Sequence, residues 1–214
     1  MNKIIPIWKE RGISSYDVIR KIKKNISGVK IGHCGTLDPF AEGMMLICTG
    51  IETKKVQELM SYDKVYEAKI YIGKETDTLD ATGEIIKENY TSNLNIKNIK
   101  RALESFKGVV MQSPPYFSAV KLNGIRLYKF ARKDIYIKKR PREVHVHNIE
   151  LLELNENIID VRMSVGKGFY IRAFAKDFAE KLGTFGYLLE LKRISIGPFD
   201  ESSIVNIEDL KCPN

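Results

Sequence analysis

One run constrains this chain more than any other: Gly32-His33-Cys34-Gly35-Thr36-Leu37-Asp38-Pro39-Phe40-Ala41-Glu42-Gly43-Met44-Met45. Three glycines and a proline punctuate it. Glycine supplies backbone freedom that other residues lack, and Asp-Pro resists continuing a helix. The run therefore reads as a tightly shaped loop that holds one carboxylate, Asp38, in a defined place. Met44 to Cys48 follows as a compact apolar run ending at Gly50, the pattern of a buried strand. Loops held by a rigid scaffold are where catalytic groups tend to sit.

The chain around this loop has 214 residues, 43% hydrophobic and 29% charged. That fits one globular domain, or a large domain with a small appendage, and a core that needs no staple. Lys and Arg number 35 against 27 Asp and Glu, a net charge of +8. The balance favours a polyanionic partner over a membrane, because no uninterrupted apolar span of membrane length exists. The first nine residues carry no long apolar signal region. Cys34, Cys48 and Cys212 form no Cys-x-x-Cys pair. That sparse, odd set predicts reduced thiols and a cytoplasmic location.

Read in order, residues 4–8 form a short apolar strand. Ser14 or Ser15 caps a helix, with Asp17 three after Ser14. Val18, Ile19, Ile22 and Ile26 are its buried stripe; Arg20, Lys21, Lys23 and Lys24 are its solvated face. Thr53 is expected to cap a second helix that turns Val56, Leu59 and Met60 inward. Lys64 to Ile72 alternates: Tyr66, Ala68, Ile70 and Ile72 share one face of a strand. Residues 76–83 read as a turn, with a partner strand over 84–87. Ile96, Ile99, Ala102, Leu103 and Phe106 give a helix stripe stopped by Gly108. Pro114 and Pro115 enforce an extended segment over 111–121, and a short helix is predicted over 126–133. Residues 143–154 and 158–165 read as a hairpin about Asn155-Glu156-Asn157. Gly166 to Arg172 leads from strand to helix, with Ile171, Phe174, Ala175, Phe178 and Leu182 buried. Strands and helices are intermixed rather than regularly alternating, which predicts an α+β fold with a largely antiparallel or mixed sheet.

Several polar groups invite a functional reading. Asp77 and Asp80 suggest a metal, but Asp and Thr in such a run bond local backbone in turns. His145 and His147 stand two apart on one strand face. That spacing can hold a metal, yet no third ligand is evident, so a surface pair is expected. Arg132, Lys133, Lys138, Lys139, Arg140 and Arg142 lie near Tyr128, Phe130 and Tyr136. Such interleaving tracks phosphates and stacks on bases, or forms a flexible basic loop; the residues leave both open. Arg172 falls off the apolar stripe of its helix, either as a surface group or aimed at a carboxylate.

Separate segments then agree on one resemblance. Gly32-His33-x-Gly35-Thr36-Leu37-Asp38-Pro39-x-Ala41-x-Gly43 resembles the signature loop of TruB-type tRNA pseudouridine synthases. Lys64-x-Tyr66, Thr76-Asp77-Thr78-x-Asp80-x-x-Gly83 and Gln112-x-Pro114-Pro115-x-x-Ser118-Ala119-Val120-Lys121 resemble further blocks of that family. So do Leu127-Tyr128-x-x-Ala131-Arg132, Lys167-Gly168-x-Tyr170-Ile171-Arg172 and Leu191-x-Arg193. The blocks run in order from about residue 9 to the C-terminus.

The resemblance implies a pseudouridine synthase fold, a large, mostly antiparallel mixed sheet flanked by helices and loops, as a single catalytic domain over 1–214. It implies isomerisation, without cofactor or metal, of uridine 55 in the T arm of tRNA, with the base flipped out of its loop. Asp38 is then the catalytic carboxylate. It acts by attack on C1′, by addition to the ring, or in a route that begins with proton loss at C2′. Arg172 matches the arginine that pairs with this Asp, and Tyr66 the aromatic that stacks on the flipped base. Leu191 matches the apolar contact beneath the ring, His33 the residue that enters the RNA loop, and Tyr170 a second active-site tyrosine. Lys9, Lys64 and Arg132 join the RNA-binding set, and 125–142 corresponds to an RNA-gripping thumb. A monomer acting without guide RNA is expected. Three departures stand out: Glu10 where Lys-Pro is usual, Phe169 where the family reads Thr, and an end shortly after Leu210 where members continue into a C-terminal PUA module. The competing readings are a catalytically idle tRNA-binding protein of the same fold, and a metal hydrolase built on Asp77, Asp80, His145 or His147.

Overall fold

The computed structural model describes residues 1–210 except Ser27, 90–93, Ala119, Asn123 and Lys138, with no side-chain description of Lys121. Ala119, Lys138 and Cys212, used in the sequence reading, therefore lie outside the described residues. Among the described residues, twelve strands and five α-helices follow in chain order: β1 (Ile4–Lys9), α1 (Ser15–Asn25), β2 (Ile31–His33), β3 (Glu42–Thr49), α2 (Val56–Met60), β4 (Lys64–Ile72), β5 (Lys74–Thr76), β6 (Ile85–Glu88), α3 (Ile96–Glu104), β7 (Gly108–Gln112), β8 (Lys121–Leu122), β9 (Ile125–Arg126), α4 (Leu127–Ala131), β10 (Arg142–Asn155), β11 (Ile158–Val165), α5 (Ile171–Lys181) and β12 (Gly186–Ile196). Strands pair in the order β1-β3-β12-β4-β11-β10-β7, with β2 on β3, an eight-stranded mixed sheet that is mostly antiparallel. Among the described residues no helix is long and apolar enough to cross a membrane.

The chain divides into two compact units, Met1–Glu67 with Leu191–Asn214, and Ala68–Glu190. In the first, β1 and β2 run antiparallel to β3, and β12 pairs parallel with it at Lys192–Glu42 and Arg193–Gly43. β3 is continuously apolar from Met44 to Cys48 because both of its faces are covered. Met45 and Ile47 join Ile5, Ile7, Val18, Ile19, Ile22 and Leu210 in one core. Met44, Leu46 and Cys48 join Cys34, Leu59 and Ile196 in the other. α1 starts where expected: Ser14 caps it, and Asp17 returns the bond to the Ser14 backbone.

α2 corrects the sequence reading. Gly50, at φ +59°, turns the chain early, and 50–55 winds as a 3₁₀ turn. Thr53 donates to the Gly50 carbonyl at 2.7 Å inside that turn and caps nothing. The helix that follows buries Leu59, while Met60 is 41% exposed. A five-residue helix presents one face for one turn, too little to bury three side chains.

In the second unit β10 and β11 form the expected hairpin, with Glu156 at φ +50° in its turn. Ile159, Val161, Met163 and Val165 are all buried, as the alternation requires. β7 pairs on the other edge of β10. α5 buries Phe174 and Phe178, and Phe106 meets Phe174 edge to face at 5.1 Å. The helix expected over 126–133 is shorter, 127–131, and Leu182 lies just past the end of α5.

Candidate active site

The Asp38 loop joins β2 to β3, and neighbouring backbone holds it from several sides. The Cys34 N–H donates to the Leu46 carbonyl at 2.9 Å, and Gly12 N–H to the Pro39 carbonyl at 2.8 Å. The Ser15 hydroxyl donates to the Leu37 carbonyl at 2.8 Å and accepts from the Leu37 N–H at 2.9 Å. Ala41 N–H closes a turn onto the Asp38 carbonyl at 3.1 Å. Asp38 itself is half-buried among these contacts.

A buried ammonium lies within this frame. Lys9 has no exposed surface, and its Nζ lies 2.6 Å from the Ala41 carbonyl, 2.8 Å from those of Glu10 and Ile13, and 3.4 Å from that of Pro39. Burial lowers its pKa to about 8; the charge of Asp38 opposes that shift and the charge of Arg193 adds to it. Lys64 is also buried, its Nζ donating to the Met60 carbonyl at 2.7 Å and to that of Tyr62, and burial lowers it to about 8. The sequence reading grouped Lys9 and Lys64 with the RNA-binding residues. Both ammonium groups are spent on backbone carbonyls.

Arg193 ties the remaining pieces of the first unit together. It is 1% exposed. Its Nε donates to the Met44 carbonyl at 2.7 Å, its Nη2 to the Gly35 carbonyl at 3.3 Å, and its Nη1 to the Tyr66 hydroxyl at 3.5 Å. One guanidinium thus spans both stems of the loop and the phenol. Tyr66 and Leu191 are buried, at 8% and 5% exposure, and His33 is half-buried at the end of β2.

Gly43 shows why the loop's glycines are needed. Its φ is +126°, and a Cβ there would stand 2.3 Å from the Arg193 carbonyl oxygen and 2.5 Å from its nitrogen. Backbone cannot yield as a flexible side chain does. Gly43→Ala is expected to cost about 3 kcal/mol from strain and overlap together. A thermal melt checks this, with a fall in Tm of roughly 10 °C expected for a chain of this size.

The second unit holds another polar group of interest. Arg172 is 6% exposed at the start of α5, a buried cation rather than a surface one. Its Nη1 donates to the Thr78 carbonyl at 3.0 Å, its Nη2 to the Phe117 carbonyl at 2.8 Å, and Asp80 Oδ2 lies 3.4 Å from Nη1. Asp80 Oδ1 accepts from the Thr78 hydroxyl, the Thr82 N–H and the Thr82 hydroxyl. The turn over 76–83 therefore does bond its own backbone, and it also places a carboxylate on Arg172. Two residues before, Tyr170 is clamped twice by Gln112: Gln112 Nε2 donates to the Tyr170 carbonyl at 3.0 Å, and Tyr170 N–H donates to Oε1 at 2.7 Å. The Arg142 guanidinium lies 5.2 Å from the Tyr170 ring centroid and donates to the Gly168 carbonyl at 2.6 Å. Arg132 is exposed beyond α4, 5.3 Å from the centroid of Tyr128. Sequence reasoning missed two partners here, Asp80 on Arg172 and Arg193 on Tyr66. Burial of a cation has no signature in a single sequence; a charge inside an apolar run, as at Arg193, was the available signal.

The fold and this arrangement place the chain among pseudouridine synthases. The crystal structure of a Cbf5-Nop10-Gar1 complex superposes with a TM-score of 0.75 at 28% identity, covering 97% of this chain and 53% of that one. The archaeal box H/ACA sRNP Nop10-Cbf5 complex gives 0.70 at 25% identity, over 97% of this chain and 52% of that one. The chain spans about half the length of these structural relatives. The family model described as TruB family pseudouridylate synthase, N-terminal domain, matches residues 20–171. The tRNA pseudouridine synthase B of Clostridium tetani is 39% identical over 214 residues, all of this chain and 74% of that protein. That of Blochmanniella pennsylvanica is 41% identical over 212 residues, 99% of this chain and 81% of that protein. The chain belongs to the TruB family and is a pseudouridine synthase.

Proposed function

We propose that this protein isomerises uridine 55 in the T arm of tRNA, with Asp38 as the catalytic carboxylate. The observation that carries the reading is the Asp38 loop, anchored by backbone bonds at Cys34 and Pro39, by the Ser15 hydroxyl at Leu37 and by the buried Lys9 ammonium at Ala41. Enzymes place a reacting group on an element whose position other groups determine. The reaction is an internal exchange. The N1–C1′ bond breaks, the base turns, C5–C1′ forms, the C5 proton leaves and N1 takes one up.

In this reading His33 enters the RNA loop beside the flipped base, Tyr66 faces the ring and Leu191 lies beneath it. Tyr170 and Arg172 are further members of the catalytic set, with Arg172 held by the Thr78 and Phe117 carbonyls and by Asp80. Arg132 and the basic segment 125–142 grip the RNA. Lys9 and Lys64 act as positioning residues. The protein works as a monomer in the cytoplasm, without cofactor, metal or guide RNA. The deciding experiment is mapping of pseudouridine in a T-arm transcript treated with the protein alone. Modification at position 55 supports the reading. Binding without modification, or modification elsewhere, overturns it.

A pH dependence follows from Lys9. As pH rises through about 8 its ammonium loses a proton, one donor to the loop carbonyls, and the charge facing Asp38. The rate is expected to fall on that alkaline limb. Stability moves the other way. The folded-state pKa lies below the ordinary lysine value of 10.5, so the unfolded chain binds more protons between about 8 and 10.5. The contribution of Lys9 therefore raises the unfolding free energy across that window. Parallel rate and melting profiles check this: a rate that holds flat to pH 10 removes Lys9 from the account.

A further inference from the structure

We infer that His145 and His147 form a two-imidazole chelate for a divalent cation of the Zn²⁺, Ni²⁺ or Cu²⁺ class, on the exposed face of β10. Alternate side chains of a regular strand stand about 6.6 Å apart. These two rings have centroids 4.3 Å apart, tilted by 59°, with Nδ1 facing Nδ1 at 2.9 Å. A break in register explains the convergence. Val146 pairs with Val165 and Asn148 with Ser164, so β10 carries one extra residue there, and that residue is His147. Such bulges re-aim side chains.

The nitrogen spacing is that of a chelate. Two ligands at about 2.0–2.1 Å from a metal and at right angles to each other stand about 2.9 Å apart. Imidazole is the ligand that this class of cation prefers, and Mg²⁺ takes oxygen instead. For the ion to take both Nδ1 lone pairs, the proton between them moves to an Nε2, so that two neutral imidazoles coordinate. Among the described residues no group of three or more His, Cys, Asp or Glu side chains is placed to hold a metal. The site is therefore open, completed by water, with Glu143 on the same exposed face of β10. Across β7 the facing residues are Val109, opposite His145, and Met111, opposite Glu143, so no cation opposes the ion from that strand. The location ties it to the rest of the unit. The His145 carbonyl accepts the Gly166 N–H at 2.8 Å, at the start of the segment that leads to Tyr170.

The test uses the untagged full-length protein, titrated with ZnCl₂ and NiCl₂ by calorimetry and followed by NMR of the imidazoles. The chain has three histidines, so each ring is assignable. One ion per chain is expected, with the His145 and His147 signals moving together and His33 unmoved. MgCl₂ should move none of them. His145→Ala and His147→Ala should each weaken binding by at least about tenfold, as expected when one of two imidazole ligands is lost. Metal-free melting curves identify a variant that is misfolded, and His145→Gln and His147→Gln then take its place. Absence of one-to-one binding overturns the inference. So does unchanged affinity in either folded variant, or a response centred on His33.

Discussion

Asp38→Asn protein should make no measurable pseudouridine in a T-arm transcript, a loss of at least about 10⁴-fold, the scale seen when a reacting side chain is removed. The substitution is nearly isosteric. The bonds that hold the loop, from Ser15 to Leu37, from Gly12 to Pro39 and from Lys9 to Ala41, all end on backbone atoms and survive it. Folding and RNA binding should therefore change little while the negative charge is lost. Single-turnover rates, RNA affinity and Tm measured on the same preparation separate these effects. A rate within tenfold of wild type would sink the assignment of Asp38. A matching loss of affinity would instead make Asp38 an RNA-binding group.

Asp80→Asn is the second large effect expected. Asp80 stands 3.4 Å from Arg172, both nearly buried. Removing one partner of a buried ion pair costs about 3 kcal/mol, because the remaining charge stays out of water. Asn keeps the shape and still accepts from Thr78 and Thr82, so the turn persists and the charge effect is isolated. The rate should fall by about 10²-fold through misplaced Arg172, consistent with the sensitivity of catalysis to small displacements. Asp80→Glu retains the charge and should recover part of the stability. A turn-only role for Asp80 predicts instead that Thr82→Val costs as much, and paired melts and rates of the two variants decide between them.

Much of the architecture was legible along the chain because it is written in local periodicity. The alternation of β4, the stripe of α1, the capping pair Ser14 and Asp17 and the β10–β11 hairpin all report their own neighbours. Short elements were less legible. α2 and α4 have five residues each, and a single turn carries no period to read.

The sequence by itself determined the family and the loop that carries Asp38, since a Gly-Pro-punctuated run and its ordered companion blocks are properties of one dimension. Tertiary structure alone decided what surrounds the charged groups. Lys9 read as an RNA-binding cation and Arg193 as one residue of a family block, yet each is buried and bonded to backbone carbonyls from strands and loops far along the chain. Asp80 read as a turn residue and became the carboxylate beside Arg172, 92 positions later. Desolvation and pairing depend on which segments come together in space, and a lone sequence does not record that distance.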